Sequence, residues 1–382
     1  MTSLLVELYD RYVLEKNVYQ AFVSDCDEIL FLSLRKIGNA EKVSLRQFIM
    51  DQVPRIQRVS FRQVSLEQIA EQLDYCLADY DHVLLDIFGG DSLLAISLYQ
   101  YGLDRNLPIV AMDIEKGKQY KWRSGVLEKA NLEVPTLTIQ QLIALRGGKL
   151  LKAKRPLHTP RQIAAIKKLA GSAIANPAQW YHVTQFFSLA KTNELRSETE
   201  KVLDNNGKYY YYPKLNISLL VEAGMLRVER EEYDRVAYAF PNQEAQVFCR
   251  NKGYILELYL YLLALESELF DECMIGGEID WNGIFPEVDN VQNEIDVILR
   301  KGRSIIFISC KMTDLSVDAI NELEVYANHF VGESCLKLLV CTGKINPVYS
   351  NRCQEYGVLV IRNDQIPNLI PILKKHLKRQ RI

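Results

Sequence analysis

The sequence predicts an α/β protein of more than one domain, and three observations carry this prediction. The chain has 382 residues, which is longer than a single hydrophobic core usually organises, so we expect two or three domains. Apolar strand-like runs alternate with amphipathic helical stretches in the first third, which favours a parallel sheet with helices on both faces. With 48% apolar and 25% charged residues, the composition is typical of a globular protein and excludes fibrous and disordered classes.

No targeting or membrane-spanning segment is predicted. The N-terminal stretch becomes charged at Glu7 and again at Asp10 and Arg11, which leaves no signal-peptide core. The longest apolar stretch, from Tyr254 to Leu265, carries Glu257 and is shorter than the roughly 20 residues that cross a bilayer. We therefore expect a cytoplasmic protein without a membrane partner.

Cysteine and charge patterns limit the possible partners. The eight cysteines include no CxxC pair and the five histidines are dispersed, so reduced thiols are expected and a zinc site is not. The formal net charge of −2 gives no global attraction to nucleic acid. Two local basic runs, 149–161 and 374–381, are each either a polyanion-binding patch or a solvated linker or tail.

The first predicted domain covers residues 1–146. Four strands are clearest: Leu4–Leu8, Ile29–Leu34, Val83–Ile87 and Ile109–Ile114. The pattern breaks near Gly147 and Gly148, and the basic run with Pro156 and Pro160 follows. We place a domain boundary at this break.

A glycine-rich turn joins a strand to a helix within this domain. The strand Val83–Ile87 runs into Phe88-Gly-Gly-Asp-Ser92 and then a helix from Leu93 to Tyr101. Gly89 and Gly90 let the backbone approach a ligand, and the helix N-terminus offers free amides to an anion. The alternative is an ordinary strand-to-helix turn with Asp91 or Ser92 as the N-cap.

The middle segment, residues 147–246, has a different pattern. Its predicted elements are helices at Arg161–Ile174, Pro177–Thr192 and Lys214–Ala223, then strand-like runs at Leu226–Arg230 and Ala237–Phe240. Helices followed by a small hairpin are typical of a winged-helix-like module, although other small α+β insertions would give the same pattern.

The last predicted domain covers residues 247–382. It begins with the Tyr254–Leu265 helix, which is apolar on nearly every side and is therefore expected to be buried. Its other predicted elements are strands at Val291–Leu299, Ser304–Cys310, Leu336–Cys341 and Val358–Ile361, a helix from Ser316 to Phe330, and a final helix.

The first two of these strands carry a possible catalytic group. Because strand side chains alternate between faces, Glu294 and Asp296 share one face, and Ser309 and Lys311 share one face. A two-residue turn at Lys301-Gly302 would bring all four to the same side. That register predicts three opposed pairs: Arg300 with Arg303, Glu294 with Ser309, and Asp296 with Phe307.

This grouping suits phosphodiester cleavage. The reaction needs a hydroxide at neutral pH and a counter-charge for the transition state, and a divalent ion held by carboxylates, Mg²⁺ or Mn²⁺, supplies both. Lys311 adds a positive charge beside the scissile phosphate. The alternative is a cross-strand ion pair of Lys311 with Glu294 or Asp296 on a solvated face.

The motifs resemble a known family. Glu294-x-Asp296, the hairpin and Ile308-Ser-Cys-Lys311, preceded by Gly253-Tyr-Ile-Leu-Glu257, resemble the PD-(D/E)xK restriction-endonuclease-like fold, in the version fused to a CARF domain in CRISPR-associated ancillary nucleases activated by cyclic oligoadenylate. The resemblance implies that Asp296 is the central metal ligand, Lys311 the catalytic lysine and Glu257 a helix acid. One departure is Ser309, which stands where the family has an acid, so either Glu257 or Glu294 completes the metal coordination or the site is weakened or inactive.

The same resemblance assigns a role to the first domain. It implies a Rossmann-like CARF sensor in which residues 89–92 hold cyclic oligoadenylate across a homodimer, with a C₂ axis presenting the same loops twice. It further points to Arg11 in the loop after the first strand, and to Lys116 and Lys118.

The resulting prediction is a cyclic-oligoadenylate-activated, metal-dependent nuclease that cleaves DNA, RNA or both in type III CRISPR antiviral defence. One alternative is a ligand-responsive winged-helix DNA-binding regulator whose nuclease fold is inactive because of Ser309. A second alternative is a sensor that binds or degrades the nucleotide without contacting a polymer.

Overall fold

The computed structural model describes residues 2–133, 135–232, 235–283, 292–328 and 335–379. These residues divide into two compact units. The first is formed by residues up to 151 together with 279–283 and 292–293, and the second by 152–278, 294–328 and 335–379. Both contain helices and strands, so the predicted α/β class is confirmed.

One sheet organises the first unit, in the strand order β3-β2-β1-β4-β5-β6-β7. Its strands are β1 (Ser3–Leu8), β2 (Glu28–Ser33), β3 (Arg58–Gln63), β4 (His82–Asp86), β5 (Ile109–Asp113), β6 (Lys118–Arg123) and β7 (Val126–Asn131). The pairs from β3 to β5 are parallel, and β6 and β7 extend the sheet antiparallel. The order reverses between β1 and β4, so the loops leaving their carboxyl ends face one crevice.

The helices of the first unit pack on this sheet. They are α1 (Lys16–Val23), α2 (Asn39–Gln52), α3 (Ile69–Leu77), α4 (Ser92–Asp104) and α5 (Ile139–Leu145). On one face, Leu4, Val6 and Leu8 of β1 join a buried cluster with Leu94 and Leu98 of α4. Because strand side chains alternate, Glu7 lies on the opposite face of the sheet. The four predicted strands correspond to β1, β2, β4 and β5 with ends shifted by at most one residue.

The middle part of the second unit contains helices and two small sheets. Its elements are α6 (Pro160–Ala175), α7 (Pro177–Leu189), β9 (Arg196–Thr199), β10 (Lys201–Leu203), β11 (Tyr209–Tyr211), α8 (Lys214–Glu222), β12 (Arg227–Glu231), β13 (Val236–Ala239) and α9 (Gln243–Arg250). Strands β12, β13 and β9 form one antiparallel sheet, and β10 and β11 form a separate ribbon. The predicted helices and hairpin are confirmed, whereas the winged-helix assignment stays a prediction.

A larger sheet follows, in the order β18-β17-β16-β15-β14-β8. Its elements and covering helices are β8 (Lys149–Lys154), α10 (Tyr254–Glu266), β14 (Glu272–Asp280), β15 (Gln292–Lys301), β16 (Ser304–Lys311), α11 (Val317–Asn328), β17 (Cys335–Cys341), α12 (Pro347–Glu355), β18 (Val358–Arg362) and α13 (Leu369–Arg379). Helix α10 is buried along most of its length, as predicted. Three residues at the ends of predicted segments lie outside the described residues: Val291, Phe330 and Arg381.

The basic run 149–161 is not simply a linker. Its first half is β8, an edge strand of the six-stranded sheet. An edge strand forms backbone hydrogen bonds with a single neighbour and can present polar side chains to water. It therefore lacks the alternation of apolar and polar residues by which a strand is predicted from sequence. The middle and last predicted domains contribute to one buried cluster, which includes Leu169, Phe248 and Leu338. The three-domain division therefore stays a prediction.

The helices have lengths typical of globular proteins. Among the described residues, none is both long and apolar enough to cross a bilayer. All eight cysteines are free, and five of them are buried.

Candidate active site and ligand loops

The hairpin of β15 and β16 has a different register from the predicted one. Lys301 pairs with Ser304, and Ile298 with Phe307. The predicted pairs of Arg300 with Arg303, Glu294 with Ser309 and Asp296 with Phe307 are therefore all wrong by two residues. The turn residues are Gly302 and Arg303 instead of Lys301 and Gly302, and the physical reason is that Gly302, with a φ of +57°, takes the first turn position, where glycine is favoured.

A shift of two residues preserves which side chains share a face. Glu294, Asp296, Ser309 and Lys311 accordingly line one small cavity of about 30 Å³. A register shift by an odd number of residues would have placed the polar side chains of one strand in the core. The hairpin therefore brings together the four residues that the sequence analysis singled out on it.

Asp296 is largely buried and is fixed by one backbone contact. Its Oδ2 accepts a hydrogen bond of 2.6 Å from the Cys310 backbone N–H. Burial raises the pKa of Asp296, and Glu294 and Glu322 raise it further, whereas the Cys310 N–H and Lys311 lower it. The carboxylate is thus held in place in a region where negative charge is in excess.

Glu257 on α10 faces the same group of side chains. Burial raises its pKa to about 8, and the neighbouring carboxylates of Asp296 and Glu294 contribute, against the opposing effects of Lys311 and Lys154. Lys154 belongs to β8 and lies 5.3 Å above the ring of Tyr254. The helix acid therefore lies within electrostatic reach of both hairpin acids and the hairpin lysine.

The donor set suits a hard divalent cation in its chemistry. Glu257, Glu294 and Asp296 provide carboxylate oxygens, which Mg²⁺ and Mn²⁺ prefer, and Ser309 offers a neutral hydroxyl. The raised pKa values of Glu257 and Asp296 reflect burial and mutual repulsion that Lys311 does not offset. Among the residues described, no three His, Cys, Asp or Glu side chains are already close enough to hold an ion. Binding would have to draw these carboxylates together.

Several residues of this region were not predicted from the sequence. Glu322 and Tyr326 of α11 line the cavity. They are four residues apart on one helix face, so a search for polar pairs beside the apolar face could have found them. Lys152 of β8 lies 2.8 Å from Glu278 of β14, and no sequence signal joins those two strands.

The crevice of the first unit is organised around Asp10, which follows β1. Its Oδ1 accepts hydrogen bonds of 2.9 Å from the N–H groups of Tyr12 and Val13. Its Oδ2 accepts one of 3.3 Å from the Gly90 N–H and lies 3.4 Å from Lys16 Nζ. One carboxylate therefore ties the loop after β1 to the loop after β4.

The two glycines of the second loop are required by the backbone. Gly89 and Gly90 have φ values of +88° and +64°, a region that favours glycine. A Cβ at Gly90 would lie 2.7 Å from Leu8 Cβ, and one at Gly89 would lie 3.3 Å from Lys16 Cδ. The loop therefore packs directly against β1 and α1.

The remaining predicted ligand residues lie at or near the loops. Asp91 is the N-cap of α4 and accepts a hydrogen bond of 2.9 Å from the Leu93 N–H, and Ser92 is the exposed first residue of the helix. Three predicted cations have acceptors within the same unit: Arg11 Nη2 lies 3.6 Å from Glu41, Lys116 Nζ 2.8 Å from Asp113, and Lys118 bonds Asn131.

Two buried acids lie beside the crevice and were not predicted. Glu7 of β1 pairs in register with Asp86 of β4, and they are 2% and 1% exposed. Asp86 accepts a hydrogen bond of 2.9 Å from the Phe88 N–H, whereas neither Glu7 oxygen has a partner among the described residues. Burial raises the pKa of Glu7 well above its usual range, with a further rise from Asp86, and burial raises that of Asp86 to about 8. The pair therefore retains a proton at neutral pH.

The fold matches solved structures over nearly the whole chain. Protein VC1899 from Vibrio cholerae aligns with a TM-score of 0.70 and 16% identity, covering 99% of this chain and 98% of that chain. Can2 from Sulfobacillus thermosulfidooxidans, solved in complex with cyclic tetra-adenylate, aligns with a TM-score of 0.65 and 18% identity, covering 97% and 98%. No family model and no curated protein matches the sequence. The family resemblance drawn from the residues is thus confirmed at the level of the fold.

Proposed function

We propose that this protein is a metal-dependent nuclease that cyclic oligoadenylate activates, acting on DNA or RNA as a CRISPR-associated effector. The observation that carries the proposal is the grouping of Glu257, Glu294, Asp296 and Lys311, in which a helix acid and a lysine meet two strand acids. The fold shared with Can2, which was solved with cyclic tetra-adenylate, supports the choice of activator.

The acidic residues would hold Mg²⁺ or Mn²⁺ and the lysine would contact the substrate. When bound, the ion supplies a hydroxide near neutral pH and a counter-charge for the transition state. Asp296 is the central ligand because the Cys310 N–H fixes its orientation. Lys311 places a positive charge at the scissile phosphate. Since Ser309 brings no charge, Glu257 and Glu294 complete the negative charge that the ion needs.

The loops at the β1–β4 crevice would bind the activator. Gly89 and Gly90 allow close approach of a phosphate or ribose, and the N-terminus of α4 favours an anion. Arg11, Lys116 and Lys118 would supply positive charge, each by exchanging its present acceptor for a phosphate.

A homodimer follows from the symmetry of such a ligand. A cyclic oligonucleotide repeats the same group around a ring, and two copies of one loop meet it best across a twofold axis. Helix α4, which begins at the glycine loop, leaves Leu93, Ile96 and Leu103 exposed. These residues follow the spacing of one helix face, which supports α4 as part of the dimer interface.

The test is a cleavage assay with labelled single-stranded DNA, duplex DNA and RNA in Mn²⁺, with and without cyclic tetra-adenylate. We expect activator-dependent cutting that falls by about 1000-fold in Lys311→Ala, because the charge beside the phosphate is lost. Lys344→Ala is the matched control, since Lys344 is an exposed lysine of the same unit that does not line the cavity. This control should cut like the wild type.

Two outcomes would contradict the proposal. Cutting that persists in Lys311→Ala would remove the hydrolytic assignment. Complete silence with a salt-dependent footprint on duplex DNA would favour the DNA-binding regulator, for which Ser309 at the family's acid position is the supporting observation.

A further inference from the structure

An exposed aromatic ribbon lies in the second unit. Strands β10 and β11 pair Lys201 with Tyr211 and Leu203 with Tyr209, so these four side chains share one face of the ribbon. Leu203, Tyr209 and Tyr211 are 51%, 47% and 55% exposed, while Tyr210 between them is buried. The ribbon therefore presents two tyrosines and a leucine to solvent where polar side chains would be the ordinary choice.

A lysine amino group lies near a ring on each face of the ribbon. Lys201 Nζ lies 5.0 Å from the ring centre of Tyr209 on the exposed face, and Lys208 Nζ lies 5.1 Å from that of the buried Tyr210 on the opposite face. Neither lysine forms an ion pair with the residues that the structure describes. The nearby acid, Asp204, is occupied by the ribbon's own turn, where it accepts N–H bonds of 2.9 Å from Asn206 and Lys208. The exposed face of the ribbon thus combines two flat rings with the positive charge of Lys201.

The ribbon is connected by contacts to the helix that carries Glu257. Tyr210 meets the exposed ring of Tyr181 edge-on at 6.4 Å, and Lys252 Nζ lies 5.5 Å from the Tyr181 ring centre. The Lys252 carbonyl accepts a hydrogen bond of 3.0 Å from Trp180 Nε1, which fixes the chain two residues before α10 begins. These contacts tie the buried face of the ribbon, through Tyr181, to the chain segment just before that helix.

We propose that this ribbon is an accessory binding surface for single-stranded nucleic acid. Bases stack on Tyr209 and Tyr211, and a phosphate between them contacts Lys201, which lies on the same face of the ribbon. In a duplex the base faces are already stacked on each other, so rings of this kind select single strands. The inference rests on the proposed function, because it makes the bound strand the substrate of the Asp296 site.

The binding test uses the full-length protein in EDTA, so that no cleavage can occur. Fluorescence anisotropy with labelled oligothymidine and oligouridine of about 20 nucleotides compares the wild type with Tyr209→Ala/Tyr211→Ala. We expect at least about tenfold weaker binding in the double variant, since each stacked base is lost from its ring. Tyr209→Phe/Tyr211→Phe should bind within about twofold of the wild type, because stacking needs the ring and not the hydroxyl.

Tyr75→Ala is the matched control. Tyr75 is an exposed tyrosine of the first unit with a cation, Arg62, 5.5 Å from its ring centre, so it reproduces the local chemistry away from the ribbon. This variant should bind like the wild type. Lys201→Ala should lower the slope of log affinity against log salt by about 0.7, whereas Lys208→Ala, on the opposite face, should leave that slope unchanged.

Several results would overturn the inference. These are wild-type protein that binds no oligonucleotide, duplex that competes as well as single strand, or a double alanine variant that binds like the wild type. Capture of a protein by the ribbon without nucleic acid would likewise assign the surface to another partner.

The outcome is separable from that of the proposed nuclease. If Lys311→Ala abolishes cleavage while the double alanine variant binds normally, the nuclease proposal stands and the ribbon surface is wrong. If binding is lost in the double alanine variant but Lys311→Ala cuts normally, the ribbon surface stands and the nuclease proposal is wrong. With both correct, the alanine variant raises KM on long single strands without lowering kcat.

Discussion

The two candidate sites differ in how far the charge of their central carboxylate is compensated by neighbouring groups. Asp10 in the crevice receives three backbone N–H groups and the Lys16 amine, so its charge is compensated within the loops. Asp296 in the hairpin receives one N–H, and its pKa is raised by burial and by neighbouring acids. The loops of the crevice are thus held together before a ligand arrives, whereas the hairpin site holds repelling carboxylates whose repulsion a cation would relieve.

The largest expected effect tests the stored repulsion. Asp296→Asn keeps an oxygen for the Cys310 N–H but removes the charge. We expect cleavage to fall by about 1000-fold or more while the metal-free protein gains Tm by about 2 °C, because the raised pKa means that the ionised form is disfavoured in the folded state. Activity assays and thermal unfolding in EDTA measure the two effects.

Metal titration supplies the control for this prediction. Mn²⁺ should raise the Tm of the wild type and leave that of Asp296→Asn unchanged, since binding to the folded state alone stabilises it. Equal Mn²⁺ stabilisation of both proteins, or a lower Tm of the variant in EDTA, would contradict the account of this site.

The second prediction tests the rigidity of the crevice. Gly90→Ala forces a side chain into a positive-φ position and to within 2.7 Å of Leu8 Cβ. We expect a loss of about 2–4 kcal/mol in stability and at least tenfold weaker binding of cyclic tetra-adenylate by calorimetry. Gly125→Ala is the control, because Gly125 has φ +76° but nothing within 4 Å of its Cβ, so binding should be unaffected.

The third prediction concerns the buried acids beside that crevice. Below pH 4 Glu7 and Asp86 are protonated in both the folded and the unfolded chain, so they do not make stability depend on pH. Above pH 4 they ionise in the unfolded chain but stay protonated in the folded one. The free energy of unfolding therefore falls until the pH passes the folded-state pKa, which is about 8 for Asp86. Glu7→Gln should therefore gain Tm over the wild type as the pH rises from 5 to 8, by about 2 °C or more.

The exposed acid of α2, Asp51, provides the comparison. Asp51→Asn should show a constant Tm difference from the wild type over the same pH range. A Glu7→Gln curve that runs parallel to the wild-type curve would mean that Glu7 and Asp86 titrate normally.

The smallest expected effect tests whether Arg11 contacts the ligand or serves only to stabilise the fold. Arg11 and Glu41 form an exposed pair at 3.6 Å, and such pairs contribute little to stability. Arg11→Ala should leave the Tm within about 1 °C and weaken cyclic tetra-adenylate about threefold to tenfold. Unchanged affinity would place Arg11 outside the ligand site.

The sequence predicted those elements that are covered on both sides. Strands β1, β2, β4 and β5 and helix α10 pack within the core, so they stand out as nearly continuous apolar runs. Strand β14 was not predicted although more than half of its residues are buried, and Gly276 and Gly277 interrupt its apolar run. In the structure Gly276 has φ +61°, and a Cβ there would lie 3.3 Å from Glu294 Oε1, so the glycine serves close approach instead.

The sequence by itself determined which hairpin side chains can act together. Alternation along a strand survives any even shift in register, so Glu294, Asp296, Ser309 and Lys311 share a face in both the predicted and the observed pairing. The register itself was decided by the φ of Gly302, a backbone choice that the sequence leaves open.

Only the tertiary structure decided what surrounds that face. Lys154 lies far from the hairpin along the chain and Glu322 lies on a helix beyond it, and no periodicity relates either residue to Asp296. Glu257 was indicated by the family resemblance and not by any spacing. Their nearness comes from packing α10, β8 and α11 on a single sheet. Local spacing fixes the direction of each side chain, whereas the charge balance of a site depends on segments that only long-range packing brings together.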